Sequence, residues 1–474
     1  MRETEDESRN NSRYYNTALV LFCLCIIIPM ISETMLIAAL PVIEHEFSAT
    51  GILGAWILPV VLLVGAAFAP FAGTLGDCFG RKKVLCIFLS FYVAGTFMGG
   101  FAWDIWSLLF FRFLQGIGIA ASPIAYALVS EQFPLHKVPM GIAFLAASYG
   151  AGALTGVLFG AYIIDFFGWR ATYYILSPVV AAHFIAMLWY IRPSSETNSG
   201  GIDWKGTLCL FVSLLSLMVS ATVLYDSGKI DLWSLSAIAV CLISGLLFFY
   251  IEKRTDFPAI NLSMLKSPLM ITISASAVLV NMLTYLLIQT MPFIIQSPTG
   301  LMLDARFVGL VMMPGAVADM VASPVAGRWM RKRSAKVPIY LGAVMMAAGC
   351  MLYFVLPQSI ISLAVIWVLF SGGMGIVATC YMIIMINSVP KERTAGATGL
   401  LHSSINVGGM AGPMIAGIFL AAYTMNFTIG GEVWTLPTEQ AFELSFGFGV
   451  VVTLVILALI YLICRFSGLN KTQI

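Results

Sequence analysis

Apolar residues in this chain run in long blocks separated by short polar breaks. A helix needs about 20 apolar residues to cross the hydrocarbon of a bilayer, where lipid offers no partner for exposed backbone groups. Fourteen blocks meet that length, at about 15–43, 53–75, 82–101, 105–130, 139–163, 170–191, 205–225, 231–251, 268–295, 304–330, 336–356, 359–388, 397–423 and 440–464. The pattern predicts an all-α polytopic membrane protein with fourteen transmembrane helices. The even number puts both termini on one face. No small-residue cleavage site follows the first block, so it is expected to stay as a helix and not to be removed as a signal peptide.

Composition agrees. Hydrophobic residues make up 60% of the 474 positions and charged ones 10%, with a mean hydropathy of +0.94. A formal net charge of +2 gives no reason to expect nucleic acid as a partner. The placement of the charges says more. Of the 25 Lys and Arg residues, all but Arg112, Arg170, Lys229 and Arg306 fall in breaks on the terminal side. Basic residues concentrate in cytoplasmic loops, so both termini are expected in the cytoplasm and the bilayer is expected to be the cell membrane. The nine cysteines are scattered through apolar blocks without paired spacing and read as small apolar residues.

The chain repeats itself at an offset of 254–257 residues. Glu33-Thr34-Met35 matches Gln289-Thr290-Met291, and Gly73 with its basic tail matches Gly327 with Arg331-Lys332-Arg333. Gln115-Gly116-Ile117-Gly118 matches Gly372-Gly373-Met374-Gly375, and Gly152 and Gly156 match Gly408 and Gly412. These pairs relate blocks 1, 2, 4 and 5 to blocks 9, 10, 12 and 13. A shift of eight helices preserves orientation, as in parallel repeats about an axis along the membrane normal. The expected organisation is a six-helix bundle over 1–192, an inserted helix pair over 193–266 and a second six-helix bundle over 267–474.

The run from Gly73 through Asp77 and Gly80 to Arg81-Lys82-Lys83, between blocks 2 and 3, resembles the loop signature of the major facilitator superfamily. Arg112 to Gly118 resembles that superfamily's motif in the fourth helix. Glu33 to Pro41 is similar to the acidic first-helix motif of its fourteen-helix drug:proton antiporter family. The resemblance covers essentially the whole chain. It implies a fold of two six-helix bundles and export of lipophilic, cationic drugs against protons. The fifth block departs from the antiporter pattern: Gly152, Gly156, Gly160 and Ala161 are present, but the Gly-Pro pair is not, whereas the second copy keeps Gly412-Pro413.

Gly73 and Gly76 allow close helix approach, Gly80 allows a tight turn, and Asp77 can accept hydrogen bonds from backbone donors or Arg81. Together Gly73, Asp77, Gly80 and Arg81 form a candidate conformational latch. The basic cluster alone also suits a membrane-interface anchor.

A charge at the bilayer centre costs about 2.5–3.5 kcal/mol even on insertion scales, so it faces a cavity or a partner. Three charges lie inside the apolar blocks: Glu33 and Arg112 in the outer halves of blocks 1 and 4, and Asp319 near the middle of block 10. A carboxyl group removed from water favours its neutral form, which suits Glu33, with Arg112, to proton coupling and Asp319 to recognising a cation. Glu33 also suits a structural pair with Arg112, and Asp319 a packing contact beside Ser323. Tyr149, Tyr285, Gln289 and Asn406 are candidate substrate contacts, their alternative being helix bridging. His183 and His402 lack ligand-spaced partners, so no metal site is expected. No phosphate-cradling loop ending in Gly-Lys-Ser/Thr occurs, and no cofactor is expected.

The leading reading is a secondary active transporter that exports small molecules against protons and works as a monomer. The alternative is a carrier of the same fold for an organic anion, sugar or metabolite. An enzyme or sensor would need a catalytic constellation or a soluble output domain, and the longest loop on the terminal side is about a dozen residues.

Overall fold

A computed structural model describes residues 2–49, 52–134, 137–194, 203–227, 232–255, 267–332, 336–389, 394–429 and 432–466. The first half contains α1 (Arg2–Met35), a 3-10 turn (Leu36–Ala39), α2 (Leu40–Glu46), α3 (Ile52–Ala55), α4 (Pro59–Phe79), α5 (Arg81–Gly99), α6 (Ile105–Ile119), α7 (Ser122–Gln132), α8 (Val138–Phe167) and α9 (Arg170–Tyr190). Next come α10 (Trp204–Ser227) and α11 (Leu232–Glu252). The second half contains α12 (Pro268–Gln296), α13 (Arg306–Lys332), α14 (Lys336–Leu352), α15 (Ile360–Asn387), α16 (Thr394–Ala422), a hairpin of β1 (Thr424–Ile429) and β2 (Glu432–Pro437), and α17 (Glu439–Phe466).

Every predicted block is helical. Eleven helical runs are long and apolar enough to cross a membrane, and three shorter apolar helices coincide with blocks 2, 7 and 11. Blocks 1, 2 and 4 are each broken once. Block 4 breaks at Ala120-Ala121, ahead of Pro123, whose ring cannot continue a helix from the preceding turn.

The two halves pack alike. In the first, α1 lies against α8, α4 against α6, and α5 against α6 and α9; in the second, α12 lies against α16, α13 against α15, and α14 against α15 and α17. The halves meet along α4 with α16 and α8 with α13, two contacts that exchange under the repeat. This is the pseudo-twofold arrangement of two six-helix bundles. Glycine spacing sets it up: Cβ atoms placed at Gly152, Gly156 and Gly160 of α8 would fall 2.6, 2.0 and 2.4 Å from atoms of α1. At Gly408 and Gly412 of α16 they would fall 2.2 Å from α12 carbonyls. These absent side chains let the helix backbones touch.

Helix α10 packs on α4 and α16 at the junction of the halves. There Met218 and Leu214 join Leu63, Val64, Met410 and Met414 in one buried cluster. Helix α11 rests mainly on α10 and leaves its apolar side chains exposed, as a lipid-facing helix does.

The halves are closed against each other at the face away from the termini. One buried cluster there runs from Leu36, Leu40, Ile57 and Val157 of the first half into Met291, Phe293 and Val308 of the second. Gln296 Nε2 donates to the Ala38 carbonyl at 3.0 Å, and Arg306 lies 3.9 Å from Asp165. His45 stacks on Trp434 of the hairpin with ring centroids 3.5 Å apart. At the terminal face, by contrast, the buried cluster around Phe22, Leu85, Ala125 and Leu128 contains first-half residues only. Among the described residues the buried contacts between the halves thus gather toward the face away from the termini.

Candidate functional site

Glu33 and Arg112 form an ion pair, with Arg112 Nη2 donating to Glu33 Oε2 at 2.7 Å. The guanidinium is fully buried, and Glu33 is 11% exposed at its side chain. Arg112 Nε also donates to the Ile57 carbonyl, and Nη1 lies 3.5 Å from Gln115 Oε1. Gln115 in turn donates to Thr96 Oγ1 at 3.0 Å. The break between α3 and α4 frees the Ile57 carbonyl for this role, since it precedes the first turn of α4. The hydroxyls of Tyr92 and Tyr173 lie buried close by, beside Ser32 and Arg112 respectively. One ion pair thus ties α1, α6 and the start of α4 together.

Tyr285 of α12 lies within electrostatic reach of Glu33 of α1 and Tyr149 of α8. The two predicted aromatic contacts thus come from opposite halves, and both Glu33 and Tyr149 act electrostatically on Tyr285. Asn406, on α16, is partly buried.

Asp319 occupies a notch. Ser323 Oγ donates to its Oδ1 at 3.1 Å, and a Cβ at Gly375 of α15 would lie 1.9 Å from that oxygen. Gly375 is therefore the residue that makes room for the carboxylate, a role its position in a glycine run of α15 does not announce.

Gln289 makes no side-chain hydrogen bond among the described residues. It is 1% exposed, both its amide atoms are unpaired among the described residues, and it lines a small pocket with Glu44 near the hairpin.

At the terminal face α4 ends on Gly80, with φ +94° and ψ 123°, and Arg81 starts α5 at once. A φ in that region strongly favours glycine. Gly73 and Asp77 lie in the last turns of α4, and their side chains lie outside the described residues. Arg81 pairs with Glu131 of α7 at 2.9 Å, and Glu131 also accepts from Ser194 Oγ at 2.6 Å. Glu131 escaped the sequence reading because a carboxylate at the end of an apolar block looks like an ordinary boundary residue. Lys82 adds a clamp, Nζ donating to the Leu188 carbonyl at 2.8 Å.

His183 Nε2 sits 3.0 Å from the Leu21 carbonyl and 3.8 Å from Cys25 Sγ. Among the described residues no group of three His, Cys, Asp or Glu side chains could hold a metal.

Two helical repeats that meet at the face away from the termini, each with a buried charge inside its own bundle, define a multi-pass membrane transporter. Residues 22–413 and 273–468 match the sequence model of the Major Facilitator Superfamily, and the chain belongs to that superfamily. It is 26% identical to the multidrug resistance protein Stp of Mycobacterium tuberculosis over 389 residues, covering 81% of this chain and 72% of Stp. It is 24% identical to the multidrug efflux pump LfrA of Mycolicibacterium smegmatis over 447 residues, covering 93% and 88% of the two chains. Among solved structures it resembles a bacterial homologue of the human lysosomal transporter Spinster in an inward-facing, unoccupied conformation. The TM-score is 0.65 at 14% identity, over 97% of this chain and 99% of that one.

Proposed function

We propose that this protein exports hydrophobic or cationic small molecules across the cell membrane in exchange for protons, by alternating access, as a monomer with both termini in the cytoplasm. The observation that carries the reading is the buried Glu33–Arg112 pair, within electrostatic reach of Tyr285 on the opposite half. Protonating Glu33 cancels one charge of the pair and loosens the tie between α1, α6 and α4. A proton there is thus coupled to the packing of the first bundle. Asp319 supplies the charge that recognises a cation, and Tyr149, Tyr285 and Asn406 supply aromatic and polar contacts. The names of Stp and LfrA, which refer to multidrug resistance and efflux, support the substrate class.

In this reading the space between the halves opens toward the termini and is the cytoplasmic entrance, because the basic residues collect on that side. The working units are residues 1–192 and 267–474, with 193–266 an insertion at their junction. Gly73, Asp77, Gly80 and Arg81, with Glu131, bias the equilibrium between the two facing states.

Purified protein in proteoliposomes tests this. An imposed pH gradient is expected to concentrate a lipophilic cation in wild type, and Glu33→Gln is expected to abolish this while leaving cation binding measurable. A carrier of another solute is the second reading, favoured by the missing proline in the α8 glycine stripe. Counterflow of a sugar or organic anion without pH dependence would establish it instead.

A further inference from the structure

The pocket around Glu44 and Gln289 lies apart from the Glu33–Arg112 pair and is built by both halves. Glu44 comes from α2 of the first half. Gln289 and Phe293 come from α12, Leu420 from α16, and Thr424 and Thr435 from the hairpin strands. It can exist only while the halves are closed at this face. A Cβ at Gly54 would lie 2.3 Å from Glu44 Cγ, so the side chain is packed against α3 as well.

Glu44 and Gln289 line the same pocket without a hydrogen bond between them, and their chemistry is complementary in one protonation state only. The Gln289 amide needs a donor for Oε1 and an acceptor for Nε2, and both atoms are buried without partners among the described residues. A carboxylate offers acceptors alone. A carboxylic acid offers one donor and one acceptor, the match for a primary amide. Thr435 already donates to Asn426 Oδ1 at 2.9 Å, and Thr424 is exposed. Glu44 has no ion pair or side-chain hydrogen bond among the described residues. The other titratable groups of α2 are engaged elsewhere. His45 stacks on Trp434, and Glu46 accepts from Trp169 at 2.7 Å and Arg170 at 2.6 Å. Helices α3, α12 and α16 and the hairpin strands give the pocket only neutral side chains.

We propose that Glu44 and Gln289 form a second proton-binding site, a latch that closes the face away from the termini when Glu44 takes up a proton. The site rests on the reading of the protein as a proton-coupled exporter and adds a step to it. Opening this face breaks the pocket and hydrates Glu44, which then releases its proton. Proton uptake from the outer side in turn stabilises closure, and by linkage the two must go together. An exporter that has just released its cargo outward is thereby turned back toward the cytoplasm only when a proton is in place.

Hydrogen–deuterium exchange of residues 424–437, corrected for the intrinsic pH dependence of exchange, tests the latch without substrate or gradient. A one-unit difference in proton affinity between open and closed states predicts about tenfold slower hairpin exchange at acid than at alkaline pH. Glu44→Gln presents an amide donor and acceptor at every pH, so its hairpin is expected to stay protected throughout. Glu44→Ala is expected to leave it exchanging fast throughout. His45→Phe keeps an aromatic ring on Trp434 and is expected to keep the wild-type response. A pH response that survives in Glu44→Gln, or is lost in His45→Phe, overturns the proposal. So does protection that follows sodium concentration at fixed pH. Failure of pH-driven export in wild type with the hairpin response intact would refute coupled exchange and still support the latch.

Discussion

Replacing Arg112 with Gln is expected to destabilise the protein by about 3–5 kcal/mol, the cost of breaking a buried ion pair from its cationic side. The guanidinium is fully buried, and its loss strands the Glu33 carboxylate 2.7 Å from where its partner was, together with the Ile57 carbonyl that accepts from Nε. Glu33→Gln leaves more in place. Arg112 keeps Ile57 and Gln115, and the new amide can still accept from Nη2, so about 1–3 kcal/mol is expected for the lost charge-assisted bond. The double variant should cost less than the two single losses added, by about 0.5–3 kcal/mol, because removing either partner first relieves the other. Thermal unfolding in detergent, followed by size-exclusion chromatography or tryptophan fluorescence, ranks the variants. Equal losses for the two single variants with an additive double would show that the pair contributes nothing beyond packing.

Asp77→Asn is expected to slow transport with little loss of folded protein if the proposed latch at Gly80 acts on the balance between states; unchanged transport at normal expression would reduce the motif to an anchor. Glu131→Gln should slow transport in the same way by removing the ion pair it makes with Arg81 at 2.9 Å, and a wild-type rate would separate that pair from the latch. Asp319→Asn should weaken binding of cationic substrates more than neutral ones in equilibrium binding, and Gly375→Ala should do the same, because its methyl group would claim the place of Asp319 Oδ1. Gly156→Leu should cost about 1–3 kcal/mol by overpacking α8 against α1, where even a Cβ would lie 2.0 Å from Thr34 Oγ1; an unchanged Tm would mean that the stripe is not under compression.

Much of the fold was legible because lipid enforces it. An apolar block of bilayer length has no stable form but a helix, so all fourteen blocks could be placed without knowing any contact. The repeat was legible because glycines that let helices touch must recur where the contacts recur, as Gly152 and Gly156 do in Gly408 and Gly412. The breaks within blocks were less visible, since Ala120-Ala121 carries no polar signal. The hairpin lies between two membrane blocks and is too short to meet the bilayer-length criterion, although β-branched and aromatic residues flanking Gly430-Gly431 are a hairpin pattern. At the site, Glu33 and Arg112 stand out as isolated charges in apolar blocks, and the ion pair weighed as the alternative to proton coupling is present. Glu44 does not stand out, because it sits at the polar end of its block, and its pocket depends on residues 240 or more positions away. Charge in an apolar block is a local signal, whereas a pocket between two halves is not.

The central claim, exchange of substrate for protons at Glu33, is tested most directly by the proton itself. Proteoliposomes loaded with a pH-sensitive dye and held without any imposed gradient would receive a lipophilic cation on one side. The account predicts proton movement in the direction opposite to the cation in wild type and none in Glu33→Gln that still binds the cation. Cation transport in wild type without proton movement, or proton movement undiminished in Glu33→Gln, would contradict it.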